Sequence, residues 1–353
     1  MTDLLRLTAE LIDLPSPSFE EQAFVEMLEG ELRSVPWLDV ERVGDNLVAR
    51  TQLGRGVRVI LAGHTDTVPA NGNATARIDG DVLWGLGACD MKSGLAVMLE
   101  LARTVDEPVV DVTYVFYARE EVAAAHNGLA ELFELRPDLL VGDVALLGEP
   151  TSAAIEAGCQ GTMRFVVTLV GQRAHTARAW KGVNAIHRVG RVLAALELYE
   201  PRQPVLDGCR FHEGLQAVAI EGGVAGNVVP DRATVTINHR FAPDRTIEEA
   251  EAHVREVLAD LLVDGDTVEV VDAAPAAAPA TGHPLVQRLI ERHGLEVRAK
   301  LGWTDVARFS AAGIPAANFA PGDPSLAHAP DERVERRDLE VVAAALRDLL
   351  TVA

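Results

Sequence analysis

The 353-residue sequence predicts an α/β protein, with a mainly parallel, mixed sheet flanked by helices and an inserted α+β unit. Three observations predict this class. Short apolar runs alternate with amphipathic stretches through the first part of the chain, the pattern of a parallel sheet covered on both faces. After about Gly161 the character changes to a group of strands and two long helices with their own turn signals. Beyond the Pro/Ala tract "AAPAAAPATG" (273–282), which is suited to a semi-stiff linker, the α/β pattern resumes. The simplest organisation is one α/β domain over 1–161 and 282–353, with 162–281 inserted into it.

Taken in order, "MTDLLRLTAELIDL" has the spacing of an amphipathic helix, and "SFEEQAFVEMLEGELRSV" is a second with an acidic first turn. "NLVART" and "VRVILAGHTD" read as strands, and "RIDGDVLWG" carries the Asp79-Gly80 hairpin signal. "KSGLAVMLELARTV" is a helix, "VDVTYVFYARE" a strand, "HNGLAELFEL" a helix and "DVALLGE" a strand. In the inserted unit, "TMRFVVTLVGQ", "QAVAIEGG", "ATVTINHRF" and "TVEVVDA" are strands. "GVNAIHRVGRVLAALELY" and "TIEEAEAHVREVLADLL" are its helices. The resumed pattern gives helices at "HPLVQRLIERHG" and "TDVARFSAAG", a strand at "IPAANFA" and a last helix from Glu332.

A net charge of −21 repels phosphate backbones and anionic membranes, which argues against nucleic-acid and membrane partners. The cysteines, Cys89, Cys159 and Cys209, are odd in number and form no CxxC pair, so they are not a disulfide framework. The first residues lack the basic start and apolar stretch of a signal peptide. A cytoplasmic protein is expected.

The candidate chemistry lies where apolar strands end. "VRVILAGHTD" delivers His64 and Asp66, which share a face of an extended chain. Asp90 stands between a strand end and a helix start, and "ALLGEPT" ends in Glu149. "VDVTYVFYA" runs through Arg119 into Glu120 and Glu121. Two adjacent carboxylates there would repel each other, and a cation resolves the conflict. One could then bind metal while the other accepts a proton from a water. His328 sits in the Pro/Gly-rich "APGDPSLAHAPDERV". Singly, His64 reads as a lone histidine at a strand end, Asp90 as a helix N-cap and His328 as a loop histidine. Together, two imidazoles and three carboxylates suit two zinc-like ions about 3.5–4 Å apart with a bridging carboxylate. No G-x-S-x-G elbow, catalytic-cysteine signature, GxGxxG or Walker motif is present.

These motifs resemble a known family, the dinuclear zinc amidohydrolases and exopeptidases that include aminoacylase, acetylornithine deacetylase, carboxypeptidase G-type enzymes and succinyl-diaminopimelate desuccinylase. The resemblance rests on "GHTDTVP", "GLGACDMKSG", "REE", "GEPT", "GQRAHTAR", "GVNAI", "AGNVVPD", "INHRF" and "AHAPDE", and covers nearly the whole chain. It implies a zinc-exopeptidase-like catalytic domain with an inserted lid and dimerisation domain, hence a homodimer. It implies two Zn²⁺, replaceable by Co²⁺, with His64 and Glu149 on one, His328 and Glu121 on the other, and Asp90 bridging. Asp66 would support His64, and Glu120 would be the general base and later the proton donor. His175 would reach a partner subunit's site as an oxyanion donor, while Arg178, Asn227 and Arg240 would contact a small N-acyl amino acid substrate. A cis Asp90–Met91 peptide is expected from the same resemblance. "GEPT", "GCQGTMRFVV" and "RAHTARAWKGVNAIHR" look most like the desuccinylase branch, with the deacetylase branch as the alternative. A relative that only binds a ligand is a third reading, and an intact Glu120 argues against it. Cys89, where relatives commonly have Ala or Thr, reads as a small packing residue.

Overall fold

A computed structural model describes residues 3–352, which form two compact units. One comprises the described residues up to Ala157, Pro279–Arg298 and those from Arg308 onward; the other comprises Gly158–Ala278 and Ala299–Ala307.

The first unit is built on an eight-stranded mixed sheet. Its order is Asp39–Val43, Asn46–Arg50, Asp111–Tyr117, Arg58–His64, Val144–Leu147, Ala316–Asn318, Ile155–Ala157 and Val297–Ala299. The four strands from Asp111–Tyr117 to Ala316–Asn318 are mutually parallel, so their carboxyl ends open on one edge. Asp111–Tyr117 is buried at every position, which is why it reads as a continuous apolar run. The Lys92–Thr104 helix is buried over nearly all its length, so its apolar residues do not keep to one stripe. Leu4–Ile12 and Gly128–Leu135 begin at the side-chain caps of Asp3 and Asn127. Pro284–His293 ends at Gly294, whose φ of 59° suits a glycine.

The second unit is a four-stranded antiparallel sheet, Gly214–Gly222, Arg232–Phe241, Gly161–Val170 and Thr267–Ala274 in spatial order. The Ala185–Glu197 and Ile247–Leu258 helices pack on it around Phe165, Val167, Val189, Val235, Ile237 and Val254. Strict alternation of burial along Gly161–Val170 puts one face in that core.

The mainly parallel mixed sheet is the one expected, with local differences, among them the unexpected short strands Ile155–Ala157 and Val297–Ala299. Asp39–Val43 is a strand whose polar sequence hides it, because it is a half-exposed edge paired with Asn46–Arg50. The final helix starts at Arg336, because Arg333–Glu335 pairs with Val82–Trp84 instead of joining it. The Pro/Ala tract is not a free linker: its first alanines end the Thr267–Ala274 strand, and Ala277 bridges to Cys159. Among the described residues, no helix is long and apolar enough to cross a membrane.

Candidate metal centre

Three of the parallel strands and two loops supply the site. Arg58–His64 ends in His64, Asp111–Tyr117 continues into Arg119, Glu120 and Glu121, and Val144–Leu147 leads to Glu149. Asp90 precedes the Lys92–Thr104 helix through a cis Asp90–Met91 peptide, and His328 lies on a loop with φ of 63°. Small residues let these segments close up. A Cβ on Gly63 or Gly148, each next to a candidate ligand, would lie 2.3 or 2.4 Å from the Met91 terminal methyl. The Met91 sulfur also accepts the His64 amide at 3.2 Å.

Asp90 stands between the two histidines. Its Oδ1 is 3.0 Å from His64 Nε2, and its Oδ2 is 3.6 Å from His328 Nε2. His328 Nε2 also meets Glu121 Oε1 at 2.9 Å, and Glu149 Oε1 lies 3.9 Å from His64 Nε2. Donor atoms of His64, Asp90 and Glu121 all fall within 4.8 Å of one another, close enough to share an ion. The five candidate ligands therefore converge.

Asp66 organises this cluster from behind. Its backbone oxygen meets His64 Nδ1 at 3.0 Å, leaving Nε2 to face Asp90. Its carboxylate accepts from the amides of Glu120 at 2.9 Å and Glu121 at 3.2 Å, and from the Ser18 hydroxyl at 2.7 Å. Arg119, at φ of 61°, breaks the strand's two-residue period. Its guanidinium is anchored by Asp45 at 3.1 Å and Glu131 at 3.0 Å. That left-handed residue and Asp66 set the two glutamates.

The charges are those of a cation site. Burial opposes protonation of His64, yet hydrogen bonds to Asp66 and Asp90 hold its pKa well above the ordinary value. His328 is pushed up to about 9, first by its hydrogen bond to Asp90. Burial works to raise the Asp90 carboxyl, but the two histidines hold it well below the usual range. Burial pushes Glu121 up. Carboxylates that draw protons onto two imidazoles would equally accept divalent cations, and the mixed N/O donor set suits zinc-like ions.

The remaining expected residues lie in the second unit. His175, on a short strand pairing with Val228–Val229, is exposed, and its Nδ1 accepts the Ala177 amide at 3.0 Å. Asn227 accepts the Thr176 amide on its backbone oxygen at 3.0 Å, and Arg178 is exposed. Arg240 is half-buried, and its Nη1 has no hydrogen-bond partner among the described residues.

Sequence reasoning assigned no role to three groups beside the centre, of which Lys92 and Glu332 are buried and Ser18 is half-buried. Ser18 holds Asp66. Lys92 donates to the Leu11 and Leu14 carbonyls at 2.9 and 2.8 Å. Burial pushes its ammonium pKa down to about 7. Glu332 accepts from the amides of Cys89 at 3.0 Å and Asp90 at 3.1 Å. Lys92 and Glu332 do occur inside the quoted motifs "DMKSG" and "AHAPDE", the one signal available.

The sequence profile described as "Peptidase family M20/M25/M40" matches residues 60–352. A Mycobacterium tuberculosis protein provisionally named succinyl-diaminopimelate desuccinylase is 51% identical over 99% of this chain and 98% of its own length. The Corynebacterium glutamicum protein named succinyl-diaminopimelate desuccinylase is 44% identical over 99% of this chain and 96% of its own. Among solved structures, aminopeptidase PepT from Bacillus cereus superposes with a TM-score of 0.79 at 20% identity, covering 99% of this chain and 97% of that one. That last similarity is one of fold.

Proposed function

Because the chain belongs to peptidase family M20/M25/M40, we propose that it is a metal-dependent amide hydrolase that converts N-succinyl-L,L-2,6-diaminopimelate and water to succinate and L,L-diaminopimelate. The observation that carries the chemistry is the Asp90 carboxylate, with one oxygen turned to each histidine. His64, Glu149 and Asp90 would hold one Zn²⁺, and His328, Glu121 and Asp90 the other, with Co²⁺ able to substitute. Bound there, such ions would polarise the scissile carbonyl and make a nearby water acidic. Glu120 takes the proton of the attacking water and returns it to the departing amine. His175 holds the developing oxyanion. Its Nδ1 is occupied by the Ala177 amide, so the neutral ring carries its proton on Nε2 as a donor.

The succinyl group is supported by the names of the two full-length relatives and by Arg240. A half-buried guanidinium with an unpartnered Nη1 suits a substrate carboxylate, which an acetyl group lacks. Arg178 and Asn227 join it in holding the substrate. The reading includes a homodimer formed through the second unit, in which His175 serves the partner's site. In support, Gly214–Gly222 is a sheet edge with Val218 58% and Ile220 50% exposed. A cytoplasmic location belongs to the same reading.

The test is succinate release from N-succinyl-L,L-diaminopimelate beside acetate release from N-acetylornithine, each with chelator and with restored Zn²⁺. The expected result is metal-dependent turnover, with kcat/KM at least about tenfold higher for the succinyl substrate, the scale of one recognised polar group. Preference for acetylornithine would transfer the chain to the deacetylase reading.

A further inference from the structure

Two carboxylates beside the centre are almost wholly buried, Asp66 and Glu332, each 1% exposed. Each accepts hydrogen bonds from two successive backbone amides. Asp66 takes those of Glu120 and Glu121. Glu332 takes those of Cys89 and Asp90, both on its Oε1, at 3.0 and 3.1 Å. The first arrangement fixes the general base and a ligand. The second fixes the ligand that stands between both histidines.

Glu332 is itself held. Its backbone oxygen accepts the Gly85 amide at 3.1 Å, and Arg333–Glu335 pairs directly with Val82–Trp84. The same loop carries His328, tied down by Asn73 Nδ2 donating to the Ala329 oxygen at 3.2 Å. At the loop's other end, a Cβ on Gly322 would lie 2.4 Å from the Cys89 Cβ, so that end also touches the Asp90 segment. The loop thus grips residues 89–90 at both ends while presenting His328 to the far side of Asp90. The Cys89 and Asp90 amides lie just before the Lys92–Thr104 helix, outside its hydrogen-bond ladder, and both find their acceptor in Glu332. A carboxylate makes that acceptor a charge-assisted one.

We propose that Glu332 is a positioning residue: by accepting the Cys89 and Asp90 amides, it sets the Asp90 carboxylate in register with His328 on its own loop. The inference rests on the metal-centre reading above. Removing a group that orients a ligand typically costs about 10–100-fold in metal affinity.

The test compares Glu332→Ala, Glu332→Asp and Glu332→Gln by Zn²⁺ competition against a chromophoric chelator and by the visible absorption of the Co²⁺-loaded protein. Glu332→Ala removes the acceptor and Glu332→Asp withdraws it by one methylene. Both should bind Zn²⁺ about 10–100-fold more weakly and show a shifted Co²⁺ spectrum. Glu332→Gln keeps a carbonyl oxygen at the same reach and should stay within about threefold of wild type. If Glu332→Ala does not fold, the contrast between Glu332→Asp and Glu332→Gln decides. Wild-type affinity and spectrum in folded Glu332→Ala or Glu332→Asp would overturn the role. So would Glu332→Gln binding as weakly as Glu332→Ala, since an acceptor kept at the same reach would then not hold the ligand in place. Wild-type protein that takes up no metal at all would instead overturn the reading of the centre, and this inference with it.

Discussion

Glu120 and Glu121 are neighbours in sequence with different environments. Glu121 Oε1 meets His328 Nε2 at 2.9 Å, whereas Glu120 is held through its backbone by Asp66. The proposed division of labour fits these environments: Glu121 would bind metal and Glu120 would move a proton. Glu120→Gln keeps the shape and loses the basicity. It should retain metal and lose about 10²–10⁴-fold in kcat, the range of general-base catalysis. Glu121→Gln should weaken one metal site, with activity partly recovered at raised Zn²⁺. Metal analysis beside single-turnover rates distinguishes them; equal metal loss in both variants would refute the assignment.

At the scale of elements, the site depends on how closely the Lys92–Thr104 helix approaches the sheet. A Cβ on Gly94 would lie 2.6 Å from the Gly148 carbonyl oxygen, in the backbone that leads to Glu149. Gly94→Ala should therefore lower stability by about 1–3 kcal/mol, as overpacking does, and weaken metal binding on the Glu149 side. Gly30 is the contrasting case, exposed in the Gln22–Arg33 helix with nothing within 4 Å of a built Cβ. Gly30→Ala should raise stability by about 0.5–1 kcal/mol, the ordinary helix-propensity gain. Thermal unfolding of the two variants should shift in opposite directions, and a stabilised Gly94→Ala would contradict the packing account. Elements like these were legible in the sequence where burial is two-sided or strictly alternating, as in Asp111–Tyr117 and Gly161–Val170. Asp39–Val43 was not, since an edge strand half in water needs no apolar run. The convergence of His64, Asp90, Glu121, Glu149 and His328 was legible because ligand chemistry restricts residue type. Glu332 was not, because its role is a contact to backbone amides 243 and 242 residues away, which any carboxylate in the sequence could have made.

At the scale of the whole molecule, different work is proposed for the two units. The first carries the candidate ligands and the base, and the second carries His175, Arg178, Asn227 and Arg240. If His175 serves a partner's site, His175→Ala and Glu120→Gln should each be nearly inactive alone. Mixed under subunit exchange, they should regain activity, because a heterodimer has one site with both native residues. Recovery should approach half the wild-type rate per heterodimer, and no recovery despite demonstrated exchange would rule out action in trans. In the proposed reaction a paired-cation centre built on Asp90 hydrolyses the succinyl amide. It is tested most directly by titrating metal-depleted protein with Zn²⁺ while following bound zinc and succinate release. Turnover should be absent at the start and rise to a plateau as the second ion per chain binds. Full turnover by protein shown to be free of metal, or no turnover with two ions bound, would contradict it.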